Sequence, residues 1–445
     1  MKKILITPGI TDLNRGDQAL IWLIRDMVKE VGVEAEYKLL QCGNNDKDIY
    51  NQSRQSRQMG FDVIKPILLH PGRGKEKKNI GYTVFTKLFW GTTALTDMFK
   101  SALLISKVSF LKRIGISLLD TEQKKTYENF KKMDLMIVKG GGFLHTYKRI
   151  SDLYYLYYSL YNILLAKQLG KKTIIMPNSF GPFMGKVEKC IIKNVLKKCD
   201  LIYARESISK KYLSDIVENK VILSVDLGFY IQNYKEYGIK EIISTYSSVK
   251  KVAITMRPYR FPESNNGEEK YKSYIEEMCK VTEGLINKGY HPIFVAHTLG
   301  PSTHEDDRIA IEDVIKQLEN KRVSKESYSY VNEFEMNCFD ITKFYSEMDY
   351  IIGTRFHSVI FAMTSLVPAI AISYSGHKTL GIMSDIGLSE YTVDIANIDA
   401  ENILDKFDNL VVNESVVKDK IKKYLEICKI DKEKMLKEIS RHLSD

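Results

Sequence analysis

Apolar residues fall along this chain in short unbroken runs, and each run is followed by a stretch where they recur every three or four positions. Unbroken runs of four or five read as strands buried on both faces, and the longer recurrence reads as amphipathic helix. The pattern predicts strands at Lys3–Thr7, Glu34–Leu40, Leu135–Val138, Lys172–Met176, Leu201–Ala204 and Val221–Val225. Helices are expected between them over about Asp17–Val31, Asp152–Leu169 (with Gly170 as C-cap) and Val187–Lys198. A second alternating set begins at Lys251–Thr255 and runs through a helix at Tyr271–Lys288, a strand at Pro292–Ala296 and a helix around Glu305–Leu318. It ends with a strand at Tyr350–Ile352, a helical stretch to Leu366 and a strand at Ala369–Ile372. Such alternation implies α/β architecture, with parallel sheets and covering helices in both halves.

A length of 445 residues makes two domains the default. The expected division is 1–235 and 250–395, joined by a Tyr-, Lys- and Ser-rich stretch at Gln232–Lys250, with a charged helical tail over 400–445 packing across both. The run from Arg73 to Leu119 interrupts the alternation and reads as a largely helical insertion. Of the net charge of +10, most lies here: nine basic residues against only Glu76 and Asp97 between Arg73 and Arg113. The cations alternate with Phe85, Trp90, Leu95, Phe99 and Leu111, a mixture that suits an amphipathic interfacial segment better than nucleic-acid recognition. Two readings stand: peripheral contact with the inner face of a membrane, or an apolar face packed on the first domain with its lysines in water.

Met1-Lys2-Lys3 runs straight into Ile4-Leu5-Ile6, too short for a signal-peptide core, and no apolar run approaches the ~20 residues of a membrane span. A cytoplasmic protein is expected. The six cysteines (Cys42, Cys190, Cys199, Cys279, Cys338, Cys428) form no C-x-x-C and read as buried reduced thiols. His297 and His304-Glu305-Asp306-Asp307 lack tight ligand spacing, so no metal is expected. The tyrosines at 154, 155, 157, 158 and 161 read as one half-buried helix face.

Candidate chemistry gathers at strand ends, the edge where parallel sheets bind ligands. The richest stretch is Asp349–Leu388, where Arg355 and His357 follow one strand and Tyr374, His377 and Lys378 follow the next. In the first half, Asn14 and Asp17 lie in a polar turn, with Asp17 a plausible N-cap, and Gly140-Gly141-Gly142 with His145 follows another strand. Arg205 and Arg257 each stand just past a strand, where a guanidinium suits carboxylate or phosphate capture. The alternative for Arg205 is a local salt bridge with Glu206 or Asp226. No G-x-G-x-x-G loop supports a dinucleotide site.

Taken together, Asn14-Arg15-Gly16-Asp17, Gly140-Gly141-Gly142, Tyr203-Ala204-Arg205-Glu206-Ser207, Glu305-Asp306-Asp307 and Thr354-Arg355-Phe356-His357 with Pro368, Tyr374 and Lys378 resemble the polysaccharide pyruvyl transferase family. The resemblance runs to about residue 390 and is weakest over the insertion and the tail. It implies a GT-B-like pair of Rossmann-like domains facing a cleft, the first on the acceptor side and the second on the donor side. It also implies transfer of pyruvate from phosphoenolpyruvate to a sugar diol of a polysaccharide or its lipid-linked precursor, giving a cyclic ketal and phosphate without cofactor or metal. Arg355 and His357 carry over as catalytic residues. Lys378, Arg205 and, with less correspondence, Arg257 carry over as donor cations, with Asn14, Asp17, Gly141, Gly142, His145 and Tyr374 as further substrate-binding candidates. Arg355→Ala is then expected to weaken donor binding. The competing readings are a GT-B glycosyltransferase using a nucleotide sugar and a non-catalytic sugar-binding member of an assembly complex.

Overall fold

The tetrapeptide Leu135-Met136-Ile137-Val138 is buried at every position, as a strand covered by layers on both faces must be. A computed structural model describes residues 1–9, 11–41, 46–69, 84–149, 151–217, 220–231, 249–374 and 376–444. The strands of the first half are β1 Lys2–Gly9, β2 Ala35–Gln41, β3 Phe61–Ile64, β4 Leu135–Val138, β5 Gly141–Tyr147, β6 Lys172–Met184, β7 Leu201–Ala204 and β8 Val221–Leu223. They pair in parallel in the order β3-β2-β1-β4-β6-β7-β8, with β5 against the far part of β6. The second sheet holds β9 Lys251–Thr255, β10 His291–Val295, β11 Ser329–Val331, β12 Tyr350–Gly353, β13 Ala369–Ser373 and β14 Thr392–Asp394, in the order β11-β10-β9-β12-β13-β14. Both orders reverse beside the first strand, between β1 and β4 and between β9 and β12. These are the switch points where open α/β sheets leave a crevice.

The expected α/β architecture is present, with differences at the edges. Residues 141–147 form β5 where a glycine loop was anticipated, and β6 continues to Met184, eight residues past the predicted end. The helix Arg15–Glu30 is capped by Asn14, whose side chain accepts from the Gly16 and Asp17 amides, so Asp17 is not the cap. The expected junction at 232–248, residues 73–83 of the insertion and Cys42 lie outside the described residues. Cys199, Cys279, Cys338 and Cys428 are buried, whereas Cys190 is exposed. Among the described residues, no helix is long and apolar enough to cross a membrane.

One continuous apolar core spans both sheets, joining Ile4, Ile6 and Trp22 to Ile254, Phe339 and Phe361. Trp22, on the first helix, meets the Phe339 ring of the second half at 5.8 Å. Beside it runs a polar seam. Arg15, almost wholly buried, donates from Nε to Met336 O at 3.0 Å and from Nη2 to Glu333 O at 2.8 Å. Leu299 N donates to Leu13 O at 2.8 Å, and Gln18 accepts from Cys338 N at 2.7 Å. The tail helix Glu414–Ser444 begins where Glu414 accepts from Tyr350 OH at 2.6 Å on the second sheet. Further on, Asp431 accepts from Val225 N at 3.1 Å and Tyr230 OH at 2.7 Å, and His442 O accepts from Lys172 on the first.

Candidate active site

The turn after β12 is fixed by its own hydroxyls. Thr354 donates to Thr255 O through both N, at 3.0 Å, and Oγ1, at 2.9 Å. Ser358 Oγ donates to Arg355 O at 2.6 Å and lies 2.8 Å from Thr255 Oγ1. Gly353 leaves no room for a side chain: a Cβ there would stand 2.7 Å from Val359 Cγ2. The turn starts the helix Phe356–Met363 and sends His357 across to the first domain. There its imidazole lies directly on Gly16, in the first turn of the helix Arg15–Glu30, where any Cβ would overlap the ring.

The first domain meets this ring with a charged shelf. Asp226, fully buried after β8, places Oδ1 3.6 Å from His357 Nε2. Its other oxygen accepts from Arg205 Nη1 at 2.7 Å, and Arg205 Nε donates to Ser179 Oγ at 2.8 Å. The remaining guanidinium nitrogen faces the glycine run, since a Cβ on Gly142 would sit 3.6 Å from Arg205 Nη2. Lys139, at the end of β4 and 2% exposed, donates to Asp17 Oδ1 at 2.5 Å. Asp17 Oδ2 accepts from Asn14 at 2.8 Å. From the loop after β13, His377 Nε2 lies 3.3 Å from Glu206 Oε1 and 3.1 Å from Ser209 Oγ. His377 precedes the helix Lys378–Ile386, whose Gly381 stands against Glu206. Lys378 Nζ lies 5.5 Å from the centre of the Phe356 ring and makes no hydrogen bond or ion pair among the described residues.

The electrostatics follow from this enclosure. Burial lowers the pKa of Lys378 to about 7, and the Arg205 cation pushes the same way against Asp226 and Asp17. Burial and Lys378 together hold His357 below the usual histidine range, against the pull of Asp226, so the imidazole is neutral at pH 7. Burial alone would raise Asp226, but opposed by its cationic neighbours the carboxyl stays well below the ordinary range. Those neighbours are His357 first, then Arg205, with Lys378 adding to them. Asp17 is likewise lowered, burial being outweighed by Lys139.

The candidates thus divide into groups. His357, Lys378, Arg205, Asn14, Asp17 and Gly142 converge on one cleft between the sheets, with Gly141 beside Lys139. Arg355 and Arg257 form an adjoining cluster around Glu305. Arg355 donates from Nε to Asp307 Oδ1 at 2.7 Å and from Nη1 to Glu305 Oε2 at 2.7 Å. Arg257 donates to Glu305 Oε1 at 3.2 Å and lies over the Tyr374 ring at 4.1 Å. Burial pushes Asp307 up to about 6 against the Arg355 cation, while Asp307 and Glu305 raise Arg355 despite its burial. His145 sits apart, with its ring 5.3 Å from Tyr147 and 5.2 Å from Tyr155. Arg205 adopts the salt bridge to Asp226 that was its alternative reading, and does so inside the cleft.

Sequence reasoning passed over Lys139 and weighed Glu206 and Asp226 only as ion-pair partners of Arg205. Lys139 carries a legible signal: a lysine directly after four buried apolar residues, at the ligand-binding edge of a parallel sheet. The close fit at Gly16 gives a direct test of the geometry. Gly16→Ala is expected to displace the His357 ring and lower turnover by about 10²-fold or more, as misplacement of a reacting group does. Steady-state kinetics beside a melting curve checks it. Wild-type turnover in that variant would mean that the ring is not held where it acts.

Two Rossmann-like sheets with facing switch points and a shared cleft define a GT-B-like protein. Solved structures agree at the level of fold. UGT73P12 from Glycyrrhiza uralensis, complexed with glycyrrhetinic acid 3-O-monoglucuronide, superposes with a TM-score of 0.55 at 10% identity, covering 100% of this chain and 96% of that one. An α,α-trehalose 6-phosphate synthase from Burkholderia multivorans gives 0.51 at 10% identity, covering 100% and 98%. The sequence profile of the polysaccharide pyruvyl transferase family matches residues 14–376, and the chain belongs to that family. The amylovoran biosynthesis protein AmsJ of Erwinia amylovora is 26% identical over 273 residues, 59% of this chain. The match spans 63% of that relative's length.

Proposed function

We propose that the chain transfers pyruvate from phosphoenolpyruvate to two hydroxyls of a sugar in a surface polysaccharide or its lipid-linked precursor. The observation that carries this reading is the meeting of His357 and Lys378, from the second sheet, with Arg205 and Asp226, from the first, in one enclosed cleft. The donor brings a carboxylate and a phosphate. Lys378, which makes no ion pair within 4 Å among the described residues, and the outward nitrogen of Arg205 are the cations with capacity left for it. Arg257 and Arg355 are already held by carboxylates and act through the neighbouring cluster. The Gly141–Gly142 backbone leaves space for the anion to approach Arg205.

The chemistry has two bond-forming steps. A proton from solvent reaches C3 of the enol phosphate as the first sugar oxygen bonds to C2, and that hydroxyl's proton passes to His357, which returns it to solvent before the next turnover. The C2–O bond to phosphate then breaks, the second hydroxyl bonds to C2, and its proton leaves with the phosphate. His357 is neutral at pH 7 and so able to accept a proton. Asp226, beside Nε2, stabilises the imidazolium that results. The decisive experiment is phosphate release from phosphoenolpyruvate over a panel of sugar acceptors, with mass spectrometry of the product. Thermal stabilisation by nucleotide sugars and not by phosphoenolpyruvate would move the reading to glycosyl transfer.

A pH profile follows from the two displaced pKa values. Lys378 binds the donor as a cation, so kcat/KM for phosphoenolpyruvate is expected to fall as pH rises through about 7. The acid limb, set by protonation of His357, lies below the usual histidine value. Lys378→Met is expected to raise the donor KM and erase the alkaline limb while keeping the acid one. An unchanged alkaline limb would exclude Lys378 as its source.

A further inference from the structure

Among the described residues, the insertion exposes an apolar face that no other element covers. Its described part consists of the helices Val84–Leu104 and Ser109–Ser117, packed together where Gly115 meets Leu103 and Leu104. One side is anchored on the helix Asp152–Gln168. Ser101 Oγ lies 2.7 Å from Tyr157 OH, Gln168 donates to Ser106 O at 3.2 Å, and Leu104 is fully buried. The other side presents Leu95, Phe99, Val108 and Phe110 to solvent, with Phe110 70% exposed. Around them stand Lys107, Lys112 and Arg113, none of which makes an ion pair among the described residues. Between Leu95 and Ser117 the one acidic residue is Asp97, against Lys100, Lys107, Lys112 and Arg113.

We infer that this face docks on an anionic lipid bilayer. Large exposed apolar side chains with cations close by in the chain are what an interfacial segment needs, to bury the former and meet phosphate headgroups with the latter. A second copy of this chain on the same patch would set like charges against each other, which disfavours self-association. The anchoring onto the helix Asp152–Gln168 connects the face rigidly to the first domain, so docking would hold the cleft at a fixed attitude to the membrane. The inference stands apart from the proposed reaction, because it rests only on this surface.

Flotation of the full chain with phosphatidylcholine vesicles containing phosphatidylglycerol, against pure phosphatidylcholine, tests it. Binding is expected only with the anionic lipid and is expected to weaken with salt. The triple variant K107Q/K112Q/R113Q should lose on the order of 100-fold in partitioning. The variant F99S/F110S, altered only at exposed positions, should lose at least ten-fold with an unchanged melting temperature. Wild-type protein that fails to float, or variants that float as the wild type does, would overturn the inference. Dimerisation lost in F99S/F110S, without vesicle binding, would assign the face to a second copy and overturn it equally.

Discussion

His357→Ala is expected to reduce ketal formation by about 10²–10⁴-fold, the range typical of a lost general base, while phosphoenolpyruvate still binds. The ring lies between Gly16 on one side and Asp226, 3.6 Å away, on the other, with the Phe361 ring centre at 6.2 Å. The flanking Phe356 and Ser358 carry the packing of the turn, so the variant should fold. Donor binding falls mainly to Lys378 and Arg205, which the substitution leaves in place. Isothermal calorimetry with phosphoenolpyruvate and a single-turnover product assay read the two effects separately. Turnover at the wild-type rate would remove His357 from the mechanism, and loss of donor affinity equal to the loss of rate would make it a binding group.

Arg355→Ala is expected to act first on stability. Its guanidinium is buried between Asp307, itself fully buried, and Glu305. Removing it strands the Asp307 carboxylate with only the His297 and Thr298 amides, at 3.1 and 2.8 Å. Breaking a buried pair from one side costs roughly 3–5 kcal/mol. Arg355→Lys keeps the charge without the two-pronged geometry and should fall between. Urea unfolding midpoints test this. An Arg355→Ala protein of wild-type stability that cannot bind donor would return Arg355 to the donor role that the sequence resemblance implied.

The contrast between these two residues marks what sequence reading reaches. Parallel sheets announce themselves because strands such as β4 and β12, buried on both faces, must be unbroken apolar runs. Strand β5 hides, since Gly-Gly-Phe-Leu-His-Thr-Tyr has no such run and pairs with the extension of β6. Arg355 and His357 stand two residues apart and look equivalent in sequence. The structure turns one inward onto Asp307, 48 residues upstream, and the other outward onto Gly16 and Asp226 of the other domain. Such long-range pairing of charge has no local signature. The pairing of Lys139 with Asp17, 122 residues away, is equally silent in the sequence, although the position of Lys139 past a buried strand is legible.

The seam built on Arg15 also bears on how the molecule comes apart. Two Rossmann-like domains joined by a linker ordinarily melt in separate steps. Here a single apolar core runs through both sheets, and Arg15 has three carbonyl partners in the second half: Met336, Glu333 and Phe334. The long C-terminal helix adds Asp431 to the first half and Glu414 to the second. Neither half can unfold without exposing the buried cation and apolar face of the other. A single cooperative thermal transition of the whole chain is therefore expected, and two resolved transitions in scanning calorimetry would show that the halves come apart separately.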